Sequence, residues 1–176
     1  MRCLRDTPWK WLPLLVVVCS PSTLIAATSK TASIGLTAEV LPACSAGSTA
    51  PATLGQFGVL DFGTYFSLTA LVSVTSQIGN GSLRVNCLLN TPYRVLLSAG
   101  GSGSVAARRM TGPAAAQINY NLYTSSAYTT VWDNTTGVTG TGSGTDQYLQ
   151  VYGRVPAQAA PTPGTYTDTI TVTVSW

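Results

Sequence analysis

The chain has 176 residues, only 9% of them charged, and a formal net charge of +3. It contains no histidine, which removes the usual general base, the usual zinc ligand and the serine triad. Arg108-Arg109 is the one basic cluster beyond the first residues, too little positive charge to follow a nucleic acid backbone.

Arg2, Arg5 and Lys10 precede an apolar core from Leu12 to Cys19, then a Ser20-Pro21 break and small residues at Ala26-Ala27. This is the layout of a secretory signal peptide, residues 1–27, with a core too short to span a bilayer. Acylation at Cys19 is the poorer alternative, because bulky Val18 stands where a small residue is expected. No later apolar run reaches the ~18 residues of a membrane span, so no direct membrane insertion is expected. Beyond Ala27, six basic residues (Lys30, Arg84, Arg94, Arg108, Arg109, Arg154) face five acids (Glu39, Asp61, Asp133, Asp146, Asp168), leaving +1. So little charge, with many Thr, Ser, Gly and Tyr residues, suits an extracellular β-protein solvated by hydroxyls. The roughly 150 residues that remain suffice for one domain with its own core. Cys3 and Cys19 leave with the leader, so Cys44 and Cys87 remain as an even pair in an oxidising compartment. They read as a disulfide, with two separate buried thiols as the alternative.

The first alternating run of the mature chain is Ala32, Ile34, Leu36, Ala38 and Val40. Strand side chains point to opposite sides in turn, so this run reads as a strand. Residues 57–63 form a compact unit with Gly58 and Gly63 at its bends. Leu83, Val85, Cys87 and Leu89 alternate with Ser82, Arg84 and Asn86; Asn90-Thr91-Pro92 turns the chain, and Tyr93, Val95 and Leu97 follow. Ile118, Tyr120 and Leu122 alternate with Asn119 and Asn121. Residues 137–144 read as a flexible loop. Leu149, Val151 and Val155 alternate with Gln150, Tyr152 and Arg154, and three prolines in residues 156–164 separate that strand from the last. The cleanest alternation is residues 165–176. Tyr166, Ile170, Val172, Val174 and Trp176 share one face, with Asp168 its polar exception, and threonines and Ser175 fill the other. Many short strands punctuated by Gly, Pro and Asn, without a helical period, indicate an all-β sandwich.

Chemistry is hard to find in this pattern. The five acids are scattered without motif spacing, so a paired-carboxylate glycosidase is unsupported. Gly140, Gly142 and Gly144 neither open a helix nor precede a lysine, and read as a hairpin tip rather than a phosphate cradle. Asn80-Gly81-Ser82 and Asn134-Thr135-Thr136 match the glycosylation triplet, which matters only in a eukaryotic secretory pathway. Tyr120, Tyr123, Tyr128 and Trp132 offer stacking surfaces for a sugar, although aromatics in a small sandwich more often fill its core. Neither an enzyme nor a cofactor or metal site is expected.

Taken in order, several segments resemble the spore coat protein U domain family, the fold of archaic chaperone–usher pilus subunits. They are residues 57–63, Val85-Asn86-Cys87, Arg109-Met110, residues 118–123, Val131-Trp132, residues 151–156, residues 163–168 and the terminal aromatic Trp176. Asp133 departs from the pattern, standing where glycine is expected. The resemblance implies an incomplete immunoglobulin-like β-sandwich, completed by a donor strand from another subunit. Residues 28–37 would be the donor-strand extension, with Ala32, Ile34 and Leu36 as its apolar face, and residues 38–176 the pilin domain. Tyr166, Ile170, Val172, Val174 and Trp176 would border the groove that receives such a strand. The implied partners are a periplasmic chaperone, an outer-membrane usher and other pilus subunits, in a homo- or hetero-polymer. The implied role is a structural pilus subunit exported to the periplasm and then the cell surface, supporting attachment and biofilm formation. A sugar-binding adhesin and a non-polymerising coat component are the alternatives.

Overall fold

The computed structural model describes residues 37–39, 41, 43–47, 57–159 and 161–176; the signal peptide and Ala32, Ile34 and Leu36 lie outside them. The chain divides into two units, Met1–Ala38 and Glu39–Trp176, and every ladder among the described residues belongs to the second. In chain order its strands are β1 (Cys44–Ala46), β2 (Val72–Thr75), β3 (Leu83–Cys87), β4 (Pro92–Leu97), β5 (Arg109–Thr111) and β6 (Gln117–Asn119). There follow β7 (Asn121–Tyr123), β8 (Val138–Thr141), β9 (Asp146–Leu149), β10 (Tyr152–Val155) and β11 (Val172–Ser175). Among the described residues there is no α-helix; Gly100–Ser102 makes a short 3-10 turn, and Pro113–Ala115 makes a tight turn whose two alanines are left-handed. The architecture is all-β and antiparallel, as the alternation predicts.

Two long segments organise it. Residues 72–97 run antiparallel to residues 138–155 through three successive ladders, β2 with β10, β3 with β9 and β4 with β8. The ribbon kinks twice. At the first kink Gly79 and Gly81 adopt left-handed conformations (φ 84 and 80) that other residues resist. There the Ser76 amide donates to Val151 O and the Ser76 hydroxyl oxygen accepts from Val151 N. One side chain thus replaces the carbonyl that the kink withdraws. At the second kink, Asn90 takes a left-handed φ of 65 and exchanges backbone bonds with Gly142 together with Thr91. Three further strands add to this ribbon, β1 on β3, β11 on β4 and β7 on β10, while β5 and β6 pair with each other in a separate hairpin.

The alternating residues of the ribbon form the core. Val85, Val95 and Leu97 are fully buried with Cys87 and Trp132, and Leu83, Leu122, Val151 and Val155 nearly so. Each fully buried aliphatic side chain stabilises by about 1.5–3 kcal/mol. Trp132 spans the interior, its indole Nε1 donating to Val95 O (2.9 Å) and its amide to Leu122 O (2.9 Å). Cys44 stands opposite Cys87 in the β1–β3 ladder, and the two form the expected disulfide, Cα to Cα 4.0 Å.

Two local expectations are corrected. Leu89 is not inward but 68% exposed, because the strand ends at Cys87 and the second kink reverses the alternation. Residues 137–144 contain β8 rather than a loop. Gly140 and Gly142 answer to packing: a Cβ at Gly140 would enter the Tyr93 ring, and one at Gly142 would meet Leu88 O. Glycines that admit a neighbour's ring or carbonyl look, in sequence, like glycines that give freedom.

Candidate functional site

The strand that ends the chain is the candidate site. Val172, Thr173, Val174 and Ser175 face Leu97, Leu96, Val95 and Arg94 of β4. Among the described residues β11 has no ladder partner on its other side. Its alternation is as read from the sequence: Tyr166, Asp168, Ile170, Val172 and Val174 are half-buried, and the threonines between them are exposed. Ile170, Val172 and Val174 pack against the core, whereas Trp176 is 58% exposed. Tyr166 lies apart from the β4 ladder, its ring against Gly112 and its hydroxyl donating to Thr162 O. β1 and β11 flank the ribbon on the same side, since β9 and β8 occupy the opposite side of β3 and β4.

In residues 57–62, which have no ladder partner among the described residues, Phe57, Leu60 and Phe62 are half-buried against the core, while Val59 and Asp61 are exposed. Leu60 and Phe62 lie against Gly153 of β10, close enough that any Cβ there would overlap Phe62. The Phe62 ring meets Tyr120 edge to face, centroids 5.8 Å apart.

Tyr120 leads into a polar knot that sequence reading missed. Its hydroxyl donates to Asp168 Oδ2 (2.6 Å), while Asp168 Oδ1 accepts from the amides of Gly101 (2.9 Å) and Thr169 (2.8 Å). Burial first, then this hydrogen bond, pushes the Tyr120 phenol far above its ordinary range, so it remains a donor. Beside it Arg108 is wholly buried rather than part of a surface cluster. Its Nε donates to Ser98 O (3.0 Å) and its Nη1 to Asn121 Oδ1 (2.9 Å). Its Nη2 serves the carbonyls of Leu97 (3.2 Å), Ser98 (2.7 Å) and Trp132 (2.8 Å). Burial pulls the guanidinium below its ordinary range against the fields of Tyr120, Asp168 and Asp133, yet arginine stays charged from so high a start. The outward position expected of Asn121 is likewise buried, because its amide bridges Arg108 to Val105 O. One signal for this knot was present in the sequence: Asp168 is the lone polar residue on an apolar face.

Asp133, where the resemblance suggests glycine, has a role of its own. Its Oδ1 accepts from the amides of Thr135 (3.1 Å), Thr136 (2.7 Å) and Gly137 (2.8 Å), pinning the turn that leads into β8. These bonds, that of Gly137 foremost, hold its carboxyl below the usual range. Of the aromatics offered to a sugar, Tyr120 and Trp132 are core. Tyr123 and Tyr128 meet edge to face (5.4 Å), and the Arg154 guanidinium lies 3.6 Å over one face of the Tyr128 ring.

This all-β domain, with an amphipathic terminal strand at a sheet edge, matches the Spore Coat Protein U domain over residues 30–173. Protein U of Myxococcus xanthus is 34% identical to it over 160 residues, 85% of this chain and 87% of that protein. The chain belongs to the spore coat protein U domain family. Among solved structures it is also similar to the CsuC–CsuE chaperone–tip adhesion subunit pre-assembly complex, from the archaic chaperone–usher Csu pili of Acinetobacter baumannii. That likeness has 26% identity and a TM-score of 0.47, and covers 78% of this chain but only 40% of the solved chain.

Proposed function

We propose that the protein is a structural pilus subunit assembled by donor-strand exchange. The observation that carries this reading is β11: a strand at a sheet edge among the described residues, whose half-buried face is apolar and which bears no charged side chain or proline from Ile170 to Trp176. Such an edge, left bare, templates association with another chain. An added strand gains backbone hydrogen bonds along β11 and places alternate side chains against the core. Membership of the spore coat protein U domain family supports the same reading. In the cell the place beside β11 is taken first by a periplasmic chaperone and then, at an outer-membrane usher, by residues 28–37 of the next subunit. Ala32, Ile34 and Leu36 face inward; burying Ile34 and Leu36 is worth about 1.5–3 kcal/mol each before ladder bonds are counted. The polymer reaches the cell surface and supports attachment and biofilm formation.

The test is expression of residues 28–176 in two forms, as they stand and with residues 28–40 repeated after Trp176 through a flexible linker. The linked strand acts at roughly millimolar effective concentration, so the grafted form should be a stable monomer and the ungrafted form aggregated or polymerised. An ungrafted chain that melts cooperatively as a stable monomer overturns the proposal.

A further inference from the structure

We propose that the Tyr120–Asp168 pair, braced by Arg108, is a positioning device that presets the C-terminal strand to receive its partner strand; this rests on the strand-exchange reading above. The β11 ladder spans only Val172–Ser175, and a short edge ladder frays readily. The strand is held instead by two side-chain anchors just before that ladder. The first is Asp168, whose carboxylate oxygens take three donors from Tyr120, Gly101 and Thr169. The fit is close, for a Cβ at Gly100 would overlap that carboxylate. The second anchor is Ser98, whose amide donates to Thr171 O (2.9 Å) while its hydroxyl oxygen accepts from Thr171 N (2.9 Å).

Both anchors depend on Arg108. It grips Ser98 O through Nε and Nη2, and it binds Asn121, the neighbour of Tyr120, through Nη1. The guanidinium therefore couples the end of β4 to the residue that fixes Asp168. Ile170 lies between the two anchors and Val172 just beyond them, so the path of the strand is set from its start. A partner strand that needs this path meets it already formed, and capture no longer waits on a fraction of the population.

The experiment separates positioning from stability. Tyr120→Phe keeps the ring and removes only the donor to Asp168; Ser98→Ala removes the hydroxyl that accepts from Thr171 N and leaves the backbone half of the second anchor. Residues 28–176 of wild type and each variant are kept soluble as a one-to-one complex with the periplasmic chaperone. Each complex is mixed with a fluorescent synthetic peptide of residues 28–40, and the rate at which the peptide enters the subunit is read by anisotropy. The same substitutions are melted in the grafted form. Capture at least tenfold slower for both variants is expected, with a grafted midpoint lower by about 4 °C or less. Wild-type capture matched by both variants overturns the positioning role. So does a grafted midpoint that collapses in step with capture, since the knot is then only a source of stability. A wild-type chain that captures no peptide overturns the strand-exchange reading itself.

Discussion

The sheet β11–β4–β8 has two outer edges of opposite character. On one side β8 reads Val138, Thr139, Gly140 and Thr141, with Gly137 before it and Gly142 and Gly144 after it. It continues into β9, where Asp146 pairs with Arg84 (2.7 Å) and accepts from Asn86 Nδ2 (2.7 Å). Glycines, small polar residues and a charged pair make that edge a poor template for another strand. On the other side β11 is uncharged and apolar on its half-buried face, and it ends in an exposed tryptophan. Two edges of one sheet, sharing β4, thus differ in how readily another strand could add to them. An edge's fate is written in its side chains rather than in its hydrogen-bonding groups, which are the same on both.

The largest effect expected concerns the anchor of β1, on the same flank as β11. Replacing Cys44 and Cys87 together with alanine releases a loop spanning 43 residues and should cost about 4 kcal/mol in the chain-entropy model. Denaturant titration of the grafted form measures it; a loss below 1 kcal/mol would show that the flank does not depend on its staple. Next comes a charge on each edge in turn. Val174→Lys puts an ammonium on the face that packs against the core, and an unpaired buried charge costs several kcal/mol. Peptide capture should fall at least a hundredfold, whereas Thr139→Lys on exposed β8 should leave it within twofold. Equal losses from both would erase the contrast between the edges.

The amphipathic edge was legible in the sequence and the blunted one was not. Alternation places Ile170, Val172 and Val174 correctly because one side of β11 is packed and the other wet, and period two survives wherever that holds. It fails at residues 137–144, where Gly140 and Gly142, required by close approach, hide a strand. It fails again at Leu89, where Asn90 turns the chain. Arg108 and Asn121 were invisible for another reason. A buried polar group is licensed by partners distant in sequence, such as Trp132 O and Ser98 O, and no local pattern announces them. Asp168 lay between these cases: the sequence marked it as an exception without saying what it binds.

A smaller effect separates the edges by pH. Asp133 pins the turn into β8, and its carboxyl is held below the ordinary range by the Gly137, Thr135 and Thr136 amides. A depressed folded-state pKa means stability fully present above the unfolded value of about 3.9 and lost as pH falls through the folded value. Asp146, lowered mainly by Arg84 and then by Asn86, acts in the same direction. Asp133→Asn should therefore lower stability at pH 7 and flatten the acid limb below about pH 4. Hydrogen exchange of the Thr135–Gly137 amides checks it, and an unchanged acid limb would show that the turn does not depend on the charge.

The smallest effect lies in the hairpin that meets the start of the C-terminal strand. Thr111 of β5 exchanges two backbone bonds with Thr167 (2.9 and 3.0 Å), so the β5–β6 turn helps to hold that strand. In this turn Ala114 and Ala115 both have left-handed backbones, φ 53 and 61. For an L-residue other than glycine that conformation costs roughly 1–2 kcal/mol. Asparagine tolerates it better without the unfolded-state entropy that glycine adds. Both alanines are exposed, so a larger side chain meets solvent. Ala115→Asn should stabilise the grafted form by up to about 1 kcal/mol, a midpoint gain of about 2–4 °C. Ala115→Val, β-branched in the same conformation, should lower the midpoint. Because the strain sits beyond both edges of the sheet, neither substitution should alter peptide capture more than twofold. A gain in capture from Ala115→Asn would mean that this turn, and not only the Asp168 knot, governs how the open edge is presented.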